Sequence, residues 1–356
     1  MVRLTRWGAR TAVAGCAAAA LALAGCGSSG DSGSSDGEGG SGGRGYKVAY
    51  STTSLGDAYR VVLARQVEIG GKAEGLDMMS PTDADNDPAK QITDITTMLG
   101  QGVDGIEMIV LDSGAIKPAL DRAEAKGVPV VAIDQGPSSG RVAMVVRGDN
   151  ELMGRQACES LGRALDGRGK VLELQGALDG IGGQERTKGF NDCMSEQFPA
   201  IKVVSKPTDW LQERATTAAQ TVLSTDRDVN GIFLASDAAM LPGVLKVLER
   251  LRRLEPIGSD GHVPLVTIDG TPFGLEQIRK GYVDALVSQP LGGYARWAAH
   301  YMKRAIDGEE FRPGPTDHGS RIIEENGNLS DILPTPVVTR ETVDDEELWG
   351  NQAEAG

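Results

Sequence analysis

Polar side chains recur in this sequence at one kind of position, directly after a short run of β-branched or apolar residues. Val130-Val131-Ala132-Ile133 runs into Asp134 and Gln135, Leu265-Val266-Thr267-Ile268 into Asp269, and Leu286-Val287-Ser288 into Gln289. Thr53 with Ser54 and Asp57, Asp112, Gln175, and Ser236 with Asp237 follow other such runs. A carboxylate can accept two hydrogen bonds from vicinal hydroxyls, which is how polyols are held. Arg186, just past the glycine-rich stretch 176–183, offers five donors in a fixed fork that suits ring and hydroxyl oxygens. Tyr59 and Trp210 can supply flat apolar walls for the C–H face of a sugar. Plainer uses compete: a strand-end Asp often caps the next helix, and an isolated Trp is commonly core.

Strand ends gather into a site only if the strands run parallel, and the pattern predicts this. Apolar β-branched runs at 47–53, 77–80, 105–111, 128–133 and 142–147 alternate with amphipathic stretches at 59–75, 88–100 and 116–126, the signature of βα units. Asp87 is placed to cap the second helix, with Pro88 in its first turn. The pattern then restarts. Helices are expected at 151–165, 185–198, 212–225, 238–253, 272–280 and 291–306, and strands at 170–174, 201–205, 231–235, 264–268 and 283–288. The body, roughly 310 residues, is longer than one core comfortably serves. The predicted fold class is therefore α/β, with two doubly wound parallel-sheet lobes joined by a multi-crossing hinge and a crevice beyond the carboxyl ends of the strands. One lobe is expected to take residues 46–148 plus 290–318 and the other 149–289 plus 319–340. The hinge is placed at 147–150 and 289–290, crossed once more near 318–321, and the acidic tail 341–356 is expected to fray.

The start of the chain reads as an export signal. Arg3, Arg6 and Arg10 precede an apolar run over 11–24 that ends in Leu23-Ala24-Gly25-Cys26, giving charge, apolar stretch and small-residue cleavage site in order. The run is about 14 residues long, and spanning a bilayer takes roughly 20, so residues 1–25 are expected to be removed. Leu-Ala-Gly-Cys resembles the bacterial lipobox, which implies acylation of Cys26. Val13-Ala14-Gly15-Cys16 fits the motif loosely but has almost no apolar stretch before it. A signal cut elsewhere, with Cys26 an ordinary residue, is the alternative. Residues 27–45 weigh against it: almost all Gly, Ser, Asp and Glu, they cannot bury enough apolar surface to order themselves. They form a tether of about 20–25 Å.

Cys158 and Cys193 are then the thiols of the body; an even number in an oxidising compartment permits one disulfide, and two buried free thiols are the alternative. The net charge of −14 argues against nucleic acid as a partner. Several motifs are discounted. Gly30-Asp31-Ser32-Gly33 spells a serine-nucleophile motif inside the tether, where nothing positions a base. Gly180-Ile181-Gly182-Gly183 lacks the third glycine and downstream acid of a dinucleotide loop. His262, His300 and His318 are not at metal-ligand spacing, so neither a metal nor a cofactor is expected.

Over residues 47–340 the chain resembles the ribose-type sugar-binding proteins of ATP-driven (ABC) importers. The likeness is carried by Asn86-Asp87-Pro88-Ala89-Lys90-Gln91, Val128-Pro129-Val130-Val131-Ala132-Ile133-Asp134, Lys170-Val171-Leu172-Glu173-Leu174-Gln175-Gly176, Arg186-Thr187-Lys188-Gly189-Phe190, Ile268-Asp269-Gly270-Thr271-Pro272 and Ser288-Gln289-Pro290. It implies first-lobe ligand contacts at Thr53, Asp57, Tyr59 and Asp134, and second-lobe contacts at Arg186, Trp210, Ser236, Asp269 and Gln289. The chain departs from the pattern in three places. Arg60 replaces a second stacking aromatic, Gln135 an Arg, and Ser236 an Asn, which points away from ribose itself; Arg60 either meets an anionic or modified ligand or is a solvated surface side chain. The resemblance implies a non-enzyme, a monomer lipid-anchored on the outer face of the membrane, that closes on a small sugar or polyol and presents it to a permease. Competing classes are a receptor module sensing a sugar-like ligand such as a furanosyl autoinducer, a transcriptional repressor on the same core, and an extracytoplasmic hydrolase. The repressor needs an N-terminal helix-turn-helix where the export signal stands, and the hydrolase lacks an evident nucleophile with its base.

Overall fold

The computed structural model describes residues 45–56 and 58–352. The expected signal, Cys26, the tether with its motif at 30–33, and Asp57 lie outside them.

The chain opens with β1 (Lys47–Thr52), α1 (Ala58–Ala73), β2 (Asp77–Met78), β3 (Thr82–Asp83), α2 (Pro88–Gly100), β4 (Gly105–Met108), α3 (Lys117–Ala125), β5 (Val130–Ile133) and β6 (Met144–Gly148). The second series is α4 (Asn150–Ala164), β7 (Arg168–Gln175), α5 (Ile181–Gln197), β8 (Ala200–Pro207), α6 (Gln212–Thr225), β9 (Gly231–Leu234), α7 (Asp237–Arg250), β10 (Leu265–Asp269), α8 (Pro272–Lys280) and β11 (Ala285–Ser288). It closes with α9 (Leu291–Ile306), β12 (Gly314–Pro315), β13 (Arg321–Glu325), β14 (Asn328–Leu333), β15 (Val337–Val338) and α10 (Trp349–Gln352).

Two sheets result. The first has the order β12-β13-β14-β6-β5-β4-β1-β2, with β3 also paired to β1; the second has the order β15-β11-β10-β9-β7-β8. Pairing is parallel from β14 through β2 and from β11 through β8, and antiparallel only where β12 and β13 extend one edge and β15 the other. The alternation along the strands explains the layers. Val48, Tyr50, Val131, Ile133, Met144 and Val146 face α1 and α9, while Ala49, Ile106, Met108, Val130, Ala132 and Val145 face α2 and α3. Strands buried on both faces read as unbroken apolar runs, which is why they stand out in the sequence. Asp87 caps α2 by accepting from the Ala89 and Lys90 amides at 2.8 and 3.3 Å, and Pro88 opens that helix. Cys158 and Cys193 are joined, tying α4 to α5 with 6.2 Å between their Cα atoms.

The chain passes between the sheets at 149, at 289–290 and at 334–336. The third passage corrects the expectation of a crossing at 318–321 and of residues 319–340 in the second lobe. β13 and β14 form a hairpin whose second strand pairs in parallel with β6, so 321–333 belong to the first sheet. Its turn is Asn326-Gly327, both with positive φ (50° and 74°), as a two-residue hairpin turn demands. The acidic tail is also corrected. It does not fray: Val343, Leu348 and Trp349 are buried and α10 packs on α8, because three apolar side chains among the acids find partners on both lobes. No helix among the described residues is long and apolar enough to cross a membrane.

Candidate ligand-binding site

The carboxyl ends of β1, β5, β9, β10 and β11 bring the strand-end side chains together. Asp269, the last residue of β10, is the hub. Its Oδ1 accepts from Gln289 Nε2 at 2.7 Å and from Arg186 Nη1 at 3.3 Å, and its Oδ2 accepts from the Ser236 hydroxyl. Ser236 also caps α7, accepting from the Ala239 amide at 3.1 Å. Arg186 is buried on α5; its Nε donates to Asn150 Oδ1 at 2.9 Å and its Nη1 to the Ala235 carbonyl at 2.6 Å. The guanidinium lies 5.5 Å over the Trp210 ring, a cation–π distance. The benzo end of Trp210 in turn packs against Gly176: a Cβ there would fall 2.0 Å from the indole, so only glycine admits the ring.

From the helices of the first lobe, Tyr59 of α1 donates to Gln289 Oε1 at 3.3 Å, and the same oxygen accepts from Tyr294 of α9 at 3.1 Å. Asp134 follows β5 with φ 66° and is anchored by its own amide to the Val146 carbonyl at 2.8 Å. Thr53 is buried and accepts from Arg60 Nε at 2.5 Å, which places Arg60 against the end of β1. Burial raises the Asp134 carboxyl, opposed by the charge of Arg186 and a Tyr59 hydrogen bond. Burial likewise raises Asp269, opposed by Arg186, Ser236 and Gln289. Tyr59 is held well above the ordinary phenol range, first by burial and then by the Asp134 charge. Asp134, Arg186 and Asp269 thus share one electrostatic neighbourhood between the lobes. Asp134, Trp210 and Asp269 have positive φ (66°, 59° and 120°), conformations that cost an L-residue and persist where the surrounding structure over-determines them.

Other strand-end residues serve the scaffold. Asp112 accepts from the Gly114 and Ala115 amides at 2.9 and 2.8 Å, closing the turn that leads toward α3 rather than capping the helix itself. Gln175 turns back to Glu173 at 3.3 Å, and Ser54 accepts from Gly56 at 2.9 Å. Asp237 is buried, with Oδ2 held by the Thr271 amide and hydroxyl, both at 3.0 Å; burial and the nearby Asp269 push its carboxyl well above the usual range. Gln135 borders a cavity of about 40 Å³ together with Asp134, Arg147, Asn150 and Glu185. That volume is well below the roughly 300–1,000 Å³ of small-molecule sites.

Several residues in and around the site were not legible beforehand. Asn150 orients Arg186. Arg147, at the end of β6, donates to Glu185 of the second lobe at 2.9 Å and to Glu325 of the first at 2.8 Å, an ion bridge across the gap. Trp349 donates its indole N–H to the Asp269 carbonyl at 2.7 Å. Arg147 falls in the expected hinge, and nothing in the sequence names its two acids as partners. His318 also gathers polar partners just before β13: its Nε2 meets the Ser320 hydroxyl at 2.8 Å and Asp331 Oδ2 at 2.9 Å, and its Nδ1 meets Asp317 Oδ1 at 3.0 Å.

Known proteins match this arrangement. Residues 48–310 match a periplasmic binding protein domain family. The ribose import binding protein of Bacillus subtilis (strain 168) is 29% identical over 246 residues, 68% of this chain and 76% of that protein. The xylitol-binding protein of Mycolicibacterium smegmatis is 28% identical over 200 residues, 56% of this chain and 55% of that protein. Among solved structures, the periplasmic binding protein component of the arabinose ABC transporter from Shewanella sp. ANA-3 superposes with a TM-score of 0.74 at 22% identity, covering 87% of this chain and 97% of its own. With a family match over most of its length and two parallel-sheet lobes that gather polar side chains between them, the chain belongs to the periplasmic binding proteins.

Proposed function

We propose that this protein captures a small sugar or polyol between its lobes and delivers it to an ABC importer, without acting as an enzyme. The observation that carries the reading is the convergence of Asp134 from one lobe with Arg186 and Asp269 from the other. Two carboxylates that accept and a guanidinium that donates match hydroxyl pairs and a ring oxygen, and Trp210 offers a flat wall for C–H groups. Relatives named for ribose and xylitol support that ligand class. Arg186 has Nε and one Nη occupied by protein acceptors, which leaves its second Nη to reach a guest. Contacts from both lobes are satisfied together only when the gap is shut, so the guest selects the closed form that a permease would recognise. Export and acylation at Cys26 would hold the body at the outer membrane face, its natural place of work; the leader and tether composition support this.

The test is a thermal-shift and calorimetric screen of residues 46–356 with D-ribose, L-arabinose, xylitol, myo-inositol, amino acids and a short peptide. A saturable shift with at least one sugar or polyol is expected, lost on Arg186→Ala. Stabilisation by an amino acid or peptide, with every sugar inert, would overturn the reading.

A further inference from the structure

Adjacent residues near the end of the chain enter different cores. Val343 and Leu348 pack in the hydrophobic core of the second lobe, whereas Trp349 clusters with Tyr59, Tyr294 and Leu291 of the first. Trp349 is 1% exposed, and its ring meets Tyr59 edge-on with centroids 6.0 Å apart. The segment is pinned to α8 by Arg279, which donates to Asp344 at 2.8 Å, to the Val343 carbonyl at 3.2 Å and to Asn351 at 2.8 Å. Asn351 closes the loop on the Val343 and Asp345 carbonyls at 2.9 and 2.8 Å.

The indole N–H points at the main chain of the hub. Asp269 has φ 120°, far outside the range an L-residue adopts without cost. Its carbonyl accepts twice, from the Gln289 amide at 2.9 Å and from Trp349 Nε1 at 2.7 Å, so both lone pairs are committed. Such a conformation persists only where surrounding bonds over-determine it. Tyr59, on the other side of the ring, is the first-lobe side chain bonded to Gln289.

We propose that Trp349 is a positioning residue for the ligand: its N–H holds the strained Asp269 peptide so that the carboxylate faces Arg186 and Gln289, while its ring seats Tyr59 opposite. The inference rests on the sugar-site reading above. The C-terminal segment is then a noncovalent link between the lobes beside the three chain passages and the Arg147 bridge, and the affinity of the site depends on a residue that need not touch the guest.

Trp349→Phe keeps most of the ring and removes the donor. In the ligand-free protein, amide exchange at Gly270 and Thr271 is expected to quicken about tenfold, the worth of one buried hydrogen bond, with the rest of the second sheet unchanged. Kd for the tightest-binding member of the sugar panel is expected to rise about tenfold, with a faster off-rate. A purely structural Trp349 would instead lower the melting temperature equally with and without sugar and leave Kd alone. Unchanged exchange at Gly270 and Thr271 overturns the proposal whatever the ligand does. Asp269→Asn serves as the control for the underlying reading. If it binds like the unaltered protein, the site assignment itself fails; if it loses binding while Trp349→Phe does not, the positioning role alone fails.

Discussion

Glu107 sits in the middle of β4, in register with Tyr50 of β1, with no exposed surface and with neither carboxylate oxygen bonded to a partner. Burial pushes its carboxyl from 4.5 up to about 8. The folded protein therefore holds this proton across a range in which the unfolded chain releases it. The favourable contribution is fully present below about pH 4.5 and falls as pH rises, levelling off once the folded group itself ionises near pH 8. At about 1.36 kcal/mol per pH unit, the loss between pH 5 and 7 is on the order of 2–3 kcal/mol. Glu107→Gln cannot ionise and removes that slope. Urea unfolding of both proteins between pH 4.5 and 8.5 should give a stability difference that moves in the variant's favour by roughly 2–3 kcal/mol from pH 5 to 7. A difference that stays flat over that range would refute the reasoning, because it would mean that Glu107 ionises alike in both states.

Two further outcomes follow from the contacts between elements. Cys158→Ser opens a link between residues 35 apart in sequence and should lower stability by about 3–4 kcal/mol, measured by urea melts with and without reductant; reductant should then have no further effect. Glu185→Gln removes the second-lobe half of the Arg147 bridge and should speed ligand release about tenfold in stopped-flow displacement, while an unchanged off-rate would separate the bridge from closure.

The parts of this molecule that were legible in the sequence are those governed by local pattern. β5 and β10 announce themselves because strands covered on both faces carry runs dominated by Val, Ile and Leu, and Asp134 and Asp269 are found by counting to the residue after Ile133 and Ile268. Asp87 and Pro88 mark the start of α2 for equally local reasons. What escaped depends on distant partners. Arg147 reads as a hinge residue until Glu185 and Glu325 arrive from 38 and 178 positions away. Gln175 has the same strand-end address as Gln289, and only the fold turns it toward Glu173. The hairpin at Asn326-Gly327 does carry a local signal, the dipeptide itself, which predicts the pairing of β13 with β14 though not that of β14 with β6. Trp349 had no such mark, since a short apolar stretch among acids looks like any tail until it has a surface to rest on.

The account stands on two carboxylates from separate lobes gripping one guest. The direct measurement is a calorimetric titration of the tightest-binding sugar into the unaltered body and into Asp134→Asn and Asp269→Asn. Each substitution is expected to weaken binding about 100-fold, the cost of one charge-assisted hydrogen bond at a buried site. If either variant binds as tightly as the unaltered protein, the lobes do not share the ligand and the account is contradicted.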